Sequence, residues 1–277
     1  MSLSSLIEKW DNIVFVIYNT IARVLYILKY PKVYRYLKKN KKLKGIHKGQ
    51  RCFIVLNGPS LNNYDLSKIN NEFSICTNYF YQTDFFNVIN PKYYCIIDSN
   101  FFNIKKNLEQ KEHVKKILKS NKDCKFIFNI KFIESFENED RVYVTYSKHM
   151  PNFFKIRNRL ESISSNFISV SMYAMNVAIY LGFTEIYLLG YDFEPGILSH
   201  FYKDNNAEKK SKERQNLEVK KEEVCAKYWQ YATAQYQNYY LNDFANKKGV
   251  KIFNCNRQSN VRAFEFFDYE KLFTENK

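Results

Sequence analysis

The sequence predicts an α/β fold with a mainly parallel sheet and helices on both faces. After Gly45 the chain alternates short apolar runs with helical stretches, which is the order of elements in such folds. Several runs are continuously apolar, as is typical of strands that are buried on both faces. With 277 residues, the chain can form one large domain, alone or with a subdomain, and can bury a substantial core.

The first predicted element is an N-terminal helix. The stretch IVFVIYNTIARVLYILKY, residues 13–30, approaches the length of a membrane span, but it contains Asn19, Arg23 and Lys29 and is followed by a basic tract at Lys32 to Lys48. An amphipathic helix that lies on the cytoplasmic leaflet of a membrane fits this mixture. A helix that packs on the domain or on a second subunit fits it equally well.

The remaining predicted elements follow in alternation. The predicted strands are short apolar runs, namely Cys52–Leu56, Phe73–Cys76, Tyr93–Ile97, Lys125–Ile130, Arg141–Thr145, Glu185–Leu189 and Val250–Asn254. The predicted helices between them are Asn103–Ser120, Ser169–Leu181 and Glu213–Lys248. We therefore assign residues 49–277 to one domain, and residues 1–48 to a membrane-associated or packing helix with its basic tract.

Charge and composition limit the class of function. The formal net charge of +15 suits an anionic partner, which could be a nucleic acid, a membrane surface or a nucleotide-activated substrate. No RNP-type motif or arginine-rich segment supports RNA binding. The six cysteines include no CxxC pair and indicate a reduced, cytosolic protein, and no cleavable signal peptide is recognised. His47, His113 and His149 show no metal-ligand spacing and are expected to be exposed.

Polar loops follow four of the predicted strands. They are Asn57–Ser60, Thr77–Tyr81, Asp98–Asn100 and Gly190–Gly196. Because ligands bind beyond the carboxyl ends of parallel strands, we expect these loops to form one ligand-binding rim. In the first loop Gly58 permits close approach of a phosphate or another backbone, while the neighbouring side chains offer hydrogen bonds. The loop is neither GxGxxG nor a Walker motif, so a dinucleotide or an ATP P-loop is not indicated.

Three segments carry a resemblance to a known family. The segments NGPSL, CTNYFY and ISVSMYAMNVAIYLGFTEIYLLGYDF resemble the bacterial sialyltransferases of glycosyltransferase family 42 and the sialyltransferase-like proteins grouped with the MptE-like domain. The similarity extends in order and spacing from Gln50 to Asp268. It implies a Rossmann-like domain with a small lid, here at about residues 194–225. It also implies transfer of a sugar from a cytidine monophosphate (CMP) donor without a cofactor or an obligatory metal.

The resemblance implies a set of residues that bind the nucleotide sugar. They are Asn57, Gly58, Pro59 and Ser60 along the phosphate and ribose, Asn78 near the phosphate or sugar, Asp98 and Ser99 beside the nucleotide, Ser169 and Ser171 at the cytidine turn, and Glu194 near donor or acceptor hydroxyls. Val170 and Ser171 depart from the family's pattern at that turn.

Catalysis requires a base for the acceptor hydroxyl and hydrogen-bond donors for the departing phosphate. The resemblance implies a histidine base in the lid, and His200 is the histidine of this sequence that lies there. Asp192 is a second candidate for the base, with capping of its turn as the alternative role. Tyr202 could hydrogen-bond the leaving phosphate.

The sequence therefore favours a membrane-associated glycosyltransferase. It is expected to transfer an acidic sugar, sialic acid-like or Kdo-like, from a CMP-sugar to a glycan or glycolipid acceptor in surface polysaccharide, lipopolysaccharide or capsule synthesis. We expect it at the inner face of the cytoplasmic membrane, where it could form a homo-oligomer. An ATP- and metal-dependent diphosphokinase of the MptE-like kind and a non-enzymatic protein that binds anionic surfaces are the alternatives.

Overall fold

The computed structural model describes residues 3–97, 115, 118–119, 121–130, 132, 136, 139–147, 156–193 and 221–274. Within them, eight strands form one parallel sheet: β1 Arg51–Val55, β2 Ser74–Thr77, β3 Tyr93–Ile96, β4 Lys125–Asn129, β5 Val142–Thr145, β6 Glu185–Leu189, β7 Lys251–Asn254 and β8 Glu265–Phe266. The helices within these residues are α1 Leu3–Lys29, α2 Lys32–Lys39, α3 Phe85–Ile89, α4 Val170–Leu181 and α5 Lys221–Asn246.

The strand order reverses in the middle of the sheet. The order is β5-β4-β3-β2-β1-β6-β7-β8, and β1 pairs in parallel with both β2 and β6. The chain therefore winds outward from β1 in one direction and from β6 in the other. Between β1 and β6 lies a topological switch point, and in Rossmann-like sheets the ligand crevice opens there, beyond the carboxyl ends of the strands.

Each central strand is buried on both faces. In β1, Cys52 and Ile54 belong to the core on one side of the sheet, and Phe53 and Val55 belong to the core on the other. Helices α4 and α5 contribute to the first core, while α2, α3 and the 3₁₀ turns after β1 and β2 contribute to the second. The apolar runs are continuous because both faces of these strands are buried, as expected. The prediction of a Rossmann-like α/β fold is confirmed.

Helix α4 is a buried helix with a clear beginning and end. Ser169 caps it, with its hydroxyl oxygen 3.4 Å from the Met172 amide that donates to it, and Gly182 ends it at a φ of 97°. A Cβ on Gly182 would lie 2.8 Å from the Gly45 Cα. Only glycine tolerates both the left-handed conformation and this approach. The pair therefore joins the end of α4 to the loop that precedes β1.

The seven predicted strands agree with the structure to within one residue at each end. Strand β8 was not predicted, because it has only two residues and both side chains are exposed. The N-terminal helix begins earlier than predicted, at Leu3, and the last predicted helix is described from Lys221 onward. Most of the predicted helix 103–120 and the lid residues 194–220 lie outside the described residues, and the division at residues 48/49 stays a prediction.

The second half of α1 contacts the domain through one face. Arg23 Nη1 donates to Ser162 Oγ at 3.1 Å, the rings of Tyr26 and Tyr146 are 5.8 Å apart, and Asn19 is buried. Among the described residues, no helix is long and apolar enough to cross a membrane.

The expectation of an exposed His47 is wrong. Its ring stacks on Phe183 at 4.5 Å, with Nδ1 2.7 Å from Gln50 Oε1 and Nε2 2.6 Å from the Tyr93 hydroxyl. Burial lowers the pKa of His47. The local sequence is rich in lysine, but tertiary packing brings aromatic rings around this imidazole.

Candidate functional site at the switch point

The loops after β1 and β6 run side by side at the switch point. Leu56 N donates to Leu189 O at 2.9 Å, and Gly58 N donates to Gly190 O at 3.0 Å, so the parallel pairing continues past the strand ends. A Cβ on Gly58 would lie 2.5 Å from Gly190 O, and one on Gly190 would lie 2.7 Å from Leu56 O. Two glycines are therefore required because two backbones touch here.

The carboxylate of Asp192 joins three loops. Ser60 N donates to Oδ2 at 2.8 Å, the Ser60 hydroxyl donates to Oδ1, and Asn256 Nδ2 donates to Oδ1 at 2.8 Å. We call this group of Asp192, Ser60 and Asn256 the Asp192 clasp. Only 7% of Asp192 is exposed, and a buried carboxylate requires such charge-assisted hydrogen bonds. The clasp fixes the loops after β1, β6 and β7 relative to one another.

The backbone around Asp192 is also held. Asn260 N donates to Asp192 O at 3.0 Å, and Asn254 Nδ2 donates to the neighbouring Tyr191 O at 3.2 Å. Beside the clasp, burial raises the pKa of the Tyr64 phenol. Hydrogen bonds from β7 and the loop that follows it thus hold the backbone on both sides of the Asp192 side chain.

The loop after β2 has an unusual backbone conformation at Asn78. Its φ is 50°, a left-handed value that asparagine tolerates better than most residues. Tyr94 in β3 stabilises the turn, since its hydroxyl donates to Asn78 O at 2.7 Å and accepts from Tyr81 N at 3.0 Å. Asn57 Nδ2 lies 3.4 Å from Thr77 O and so links this loop to the one after β1.

In the described part of this rim, the side-chain amide oxygens of two asparagines accept no hydrogen bond. They are Asn57 Oδ1 and Asn78 Oδ1, and both atoms are buried without a partner in the described part of the chain. An unsatisfied buried acceptor costs about 1–3 kcal/mol, so each such oxygen requires a donor from outside the described chain, either an ordered water or a ligand. A ligand hydroxyl or amino group could donate to either oxygen.

Helix α4 begins on the same rim. Thr145, at the end of β5, hydrogen-bonds to the Tyr173 hydroxyl in the first turn of the helix. Tyr191 connects this helix end with the β6 loop, because its buried hydroxyl hydrogen-bonds to Ser169 and donates to Asn238 Oδ1 at 2.9 Å. Burial raises the pKa of Tyr191. Free N–H groups at a helix N-terminus favour an anion, so a phosphate could bind beside Ser169 and Ser171.

The structure brings together only part of the predicted site. Asn57, Gly58, Ser60, Asn78 and Asp192 meet at the switch point, Pro59 begins the 3₁₀ turn after β1, and Ser169 and Ser171 lie at the start of α4. The other predicted residues lie outside the described residues, namely Asp98, Ser99, Glu194, His200 and Tyr202. Their roles, and the role of Asp192 as a base, stay predictions.

Sequence reasoning missed Asn256 and Tyr94, which hold the rim through their side chains. A usable signal existed for Asn256, since the run NCNRQSN directly follows the last predicted strand and is rich in polar residues. Tyr94 gave no signal, because a tyrosine inside an apolar strand is indistinguishable from an ordinary core residue.

The parallel sheet and the switch point between β1 and β6 define a Rossmann-like α/β protein. The paired loops after these two strands form its candidate ligand rim. The family described as 6-hydroxymethylpterin diphosphokinase MptE-like matches residues 18–195, which is more than half of the chain. The protein therefore belongs to the MptE-like family, and that part of the expected relationship is confirmed. No curated protein sequence matches the chain significantly.

Solved structures with a similar fold include two sialyltransferases of Campylobacter jejuni. CstII in complex with the substrate analogue CMP-3FNeuAc is 20% identical in sequence, and the TM-score is 0.48. The alignment covers 79% of this chain and 86% of the CstII chain. The monofunctional α-2,3-sialyltransferase Cst-I is 20% identical, covers 78% and 80% of the two chains, and has a TM-score of 0.49.

Proposed function

We propose that this protein is a glycosyltransferase that transfers an acidic sugar from a CMP-sugar to a bacterial surface glycan or glycolipid. In this reaction an acceptor hydroxyl attacks the anomeric carbon of the donor sugar. The bond between that carbon and the phosphate oxygen breaks, and CMP departs with the electron pair. The hydroxyl proton passes to a base of the protein.

The observation that carries the proposal is the pair of unsatisfied oxygens on Asn57 and Asn78. Two buried acceptors at the switch point suit the hydroxyls of a ribose or a sugar. The start of α4, tied to the β6 loop through Ser169 and Tyr191, suits the phosphate. The choice of CMP and of an acidic sugar rests on the resemblance of NGPSL, CTNYFY and the segment from Ile168 to Phe193.

Within this proposal Asp192 is a positioning residue. Its two carboxylate oxygens already accept three hydrogen bonds from Ser60 and Asn256, and a proton transfer would disturb the Asp192 clasp. His200 is then the proposed base, Tyr202 a proposed donor to the leaving phosphate, and Glu194 a proposed contact for sugar hydroxyls. The enzyme is proposed to act at the cytosolic face of the membrane, without a metal.

The family match supports a second candidate, a diphosphokinase, which the family's description names. We propose ATP as its diphosphate donor. Such an enzyme transfers the terminal diphosphate of ATP to a hydroxyl and requires a divalent cation to neutralise the phosphates. The same rim could hold ATP only with that cation. Dependence on the metal therefore separates the two candidates.

A thermal-shift panel tests the proposal directly. The full chain is heated with CMP, UDP, GDP or ATP, each with and without Mg²⁺, because a ligand of the folded state raises the melting temperature. We expect a shift with CMP that does not require Mg²⁺ and that disappears in Asn57→Ala. A shift with ATP and Mg²⁺ alone, together with release of AMP in the presence of an acceptor, would favour the diphosphokinase instead.

A further inference from the structure

Helix α1 exposes a continuous apolar arc. Its large apolar side chains recur every three or four residues and are 44–72% exposed: Leu6, Ile7, Trp10, Ile13, Ile17, Tyr18, Ile21, Val24, Leu25 and Leu28. An uninterrupted arc of ten exposed apolar side chains marks a contact with another molecule.

The arc points away from the domain. The contacts of α1 with the domain involve Asn19, Arg23 and Tyr26, which lie about half a turn from Ile17, Ile21 and Val24 around the helix. The domain therefore anchors one side of α1 and leaves the apolar side uncovered.

The chain beside the arc is strongly basic. From residue 12 to residue 64 the sequence contains eleven lysines and arginines and no aspartate or glutamate. Eight of these side chains are exposed on α2 and in the segments that flank it: Lys29, Lys32, Arg35, Lys38, Lys41, Lys42, Lys44 and Lys48. Lys29 thus extends the basic tract of residues 32–48 towards α1.

Part of the basic tract lines a cleft of about 490 Å³ together with Glu139 and Asp140. Glu139 is bound to Arg141 at 2.9 Å, and Lys39 donates to the backbone carbonyls of Asp140 and Val142. Arg35, Lys38 and Lys42 also line this cleft and can approach a phosphate there.

We infer that α1 and the basic tract form a docking surface for an anionic lipid leaflet, with the apolar arc in the interfacial layer and the basic tract on the head groups. Lysine and arginine near such a surface are attracted to its anionic head groups, and tryptophan and tyrosine favour the interface. A second copy of the chain is a poorer occupant, because each copy carries a formal net charge of +15 and offers the basic tract no anionic surface of comparable charge.

Flotation of the full chain with lipid vesicles tests this inference. We expect binding to vesicles that contain phosphatidylglycerol, at least about tenfold weaker binding to pure phosphatidylcholine, and release from the anionic vesicles as salt rises. Equal binding to both kinds of vesicle, or no binding to either, would overturn the inference.

The double variant Ile17→Glu/Leu25→Glu places two charges in the arc, and we expect it to lose at least about tenfold in vesicle affinity. Val88→Glu is the matched control, since Val88 is an exposed apolar residue of α3, and we expect its binding to change less than about twofold. Both variants should keep the melting temperature and nucleotide response of the parent, which separates this test from that of the proposed reaction. A dimer in lipid-free sedimentation that the double variant dissociates would assign the arc to a second copy instead.

Discussion

Gly58 and Asp192 approach each other so closely that a Cβ on Gly58 would lie 2.6 Å from Asp192 Oδ2. Gly58 has a φ of −74°, which any residue can adopt, so the lack of space and not the backbone conformation requires glycine. The contact seats Ser60 within hydrogen-bonding distance of both carboxylate oxygens. The scarce glycine of the NGPS loop is thus explained by the partner loop after β6.

We expect Gly58→Ala to separate these loops, because the new methyl group would overlap Gly190 and Asp192. The variant should lose about 1–3 kcal/mol of stability and most of its nucleotide response, measured by denaturation and thermal shift. Gly49→Ala is the control, since its Cβ would meet no atom within 4 Å and only its φ of 82° opposes alanine. If Gly58→Ala bound nucleotide as the parent does, the close approach would not matter for the site.

Asp192→Asn distinguishes a positioning residue from a base. The amide offers one acceptor oxygen where the carboxylate has two, so the Asp192 clasp should loosen. We expect a melting temperature lowered by a few degrees and a loss of nucleotide affinity, in parallel with Asn256→Ala. A variant that kept its stability and affinity but lost turnover would instead mark Asp192 as the base.

The two unsatisfied oxygens give a sharper test of the nucleotide site. Asn57→Ala should lower stability by at most about 1 kcal/mol, because the protein contact it removes is the long hydrogen bond from Nδ2 to Thr77 O, and it should abolish the CMP-induced shift. For Asn78 the informative change is Asn78→Gly, since glycine accepts the φ of 50° whereas alanine adds backbone strain. Unchanged CMP affinity in both variants would remove these residues from the site.

His200→Ala tests the proposed base. Removing a general base should lower turnover by about 10²–10⁴-fold while the donor affinity stays within a few-fold of the parent. The measurement is steady-state turnover together with calorimetric CMP binding on the same preparation. Near-normal turnover would move the role to Asp192 or to another residue.

His47 should make stability depend on pH. Burial lowers its pKa in the folded state, so the unfolded chain takes up the proton first, near its ordinary pKa of about 6.5. The stability that the neutral ring contributes is therefore present above that pH and is lost as the pH falls below it. We expect the stability difference between the parent and His47→Gln to shrink between about pH 7.5 and 5.5. A constant difference would contradict this.

The elements of the fold could be predicted from the sequence, because each depends on its own residues. Strand β1 is an apolar run buried on both faces, and α4 has a serine at its start and a glycine at its end. The polar turn after β1 was predicted for the same reason, whereas its role in ligand binding depended on its position beside the other loops and stays a prediction. The hydrogen-bond partners of Asp192 could not be predicted, since Ser60 and Asn256 are 132 and 64 residues away along the chain.

The sequence by itself determined which segments are strands, which loops are polar, and where the chain is basic. Only the tertiary structure decided that β1 and β6 are neighbours, that Gly58 faces Asp192, and that His47 lies between aromatic rings. The physical reason is the range of the interactions. Periodicity and capping act within a few residues, whereas strand order, close backbone contact and burial arise from packing between segments far apart in the chain.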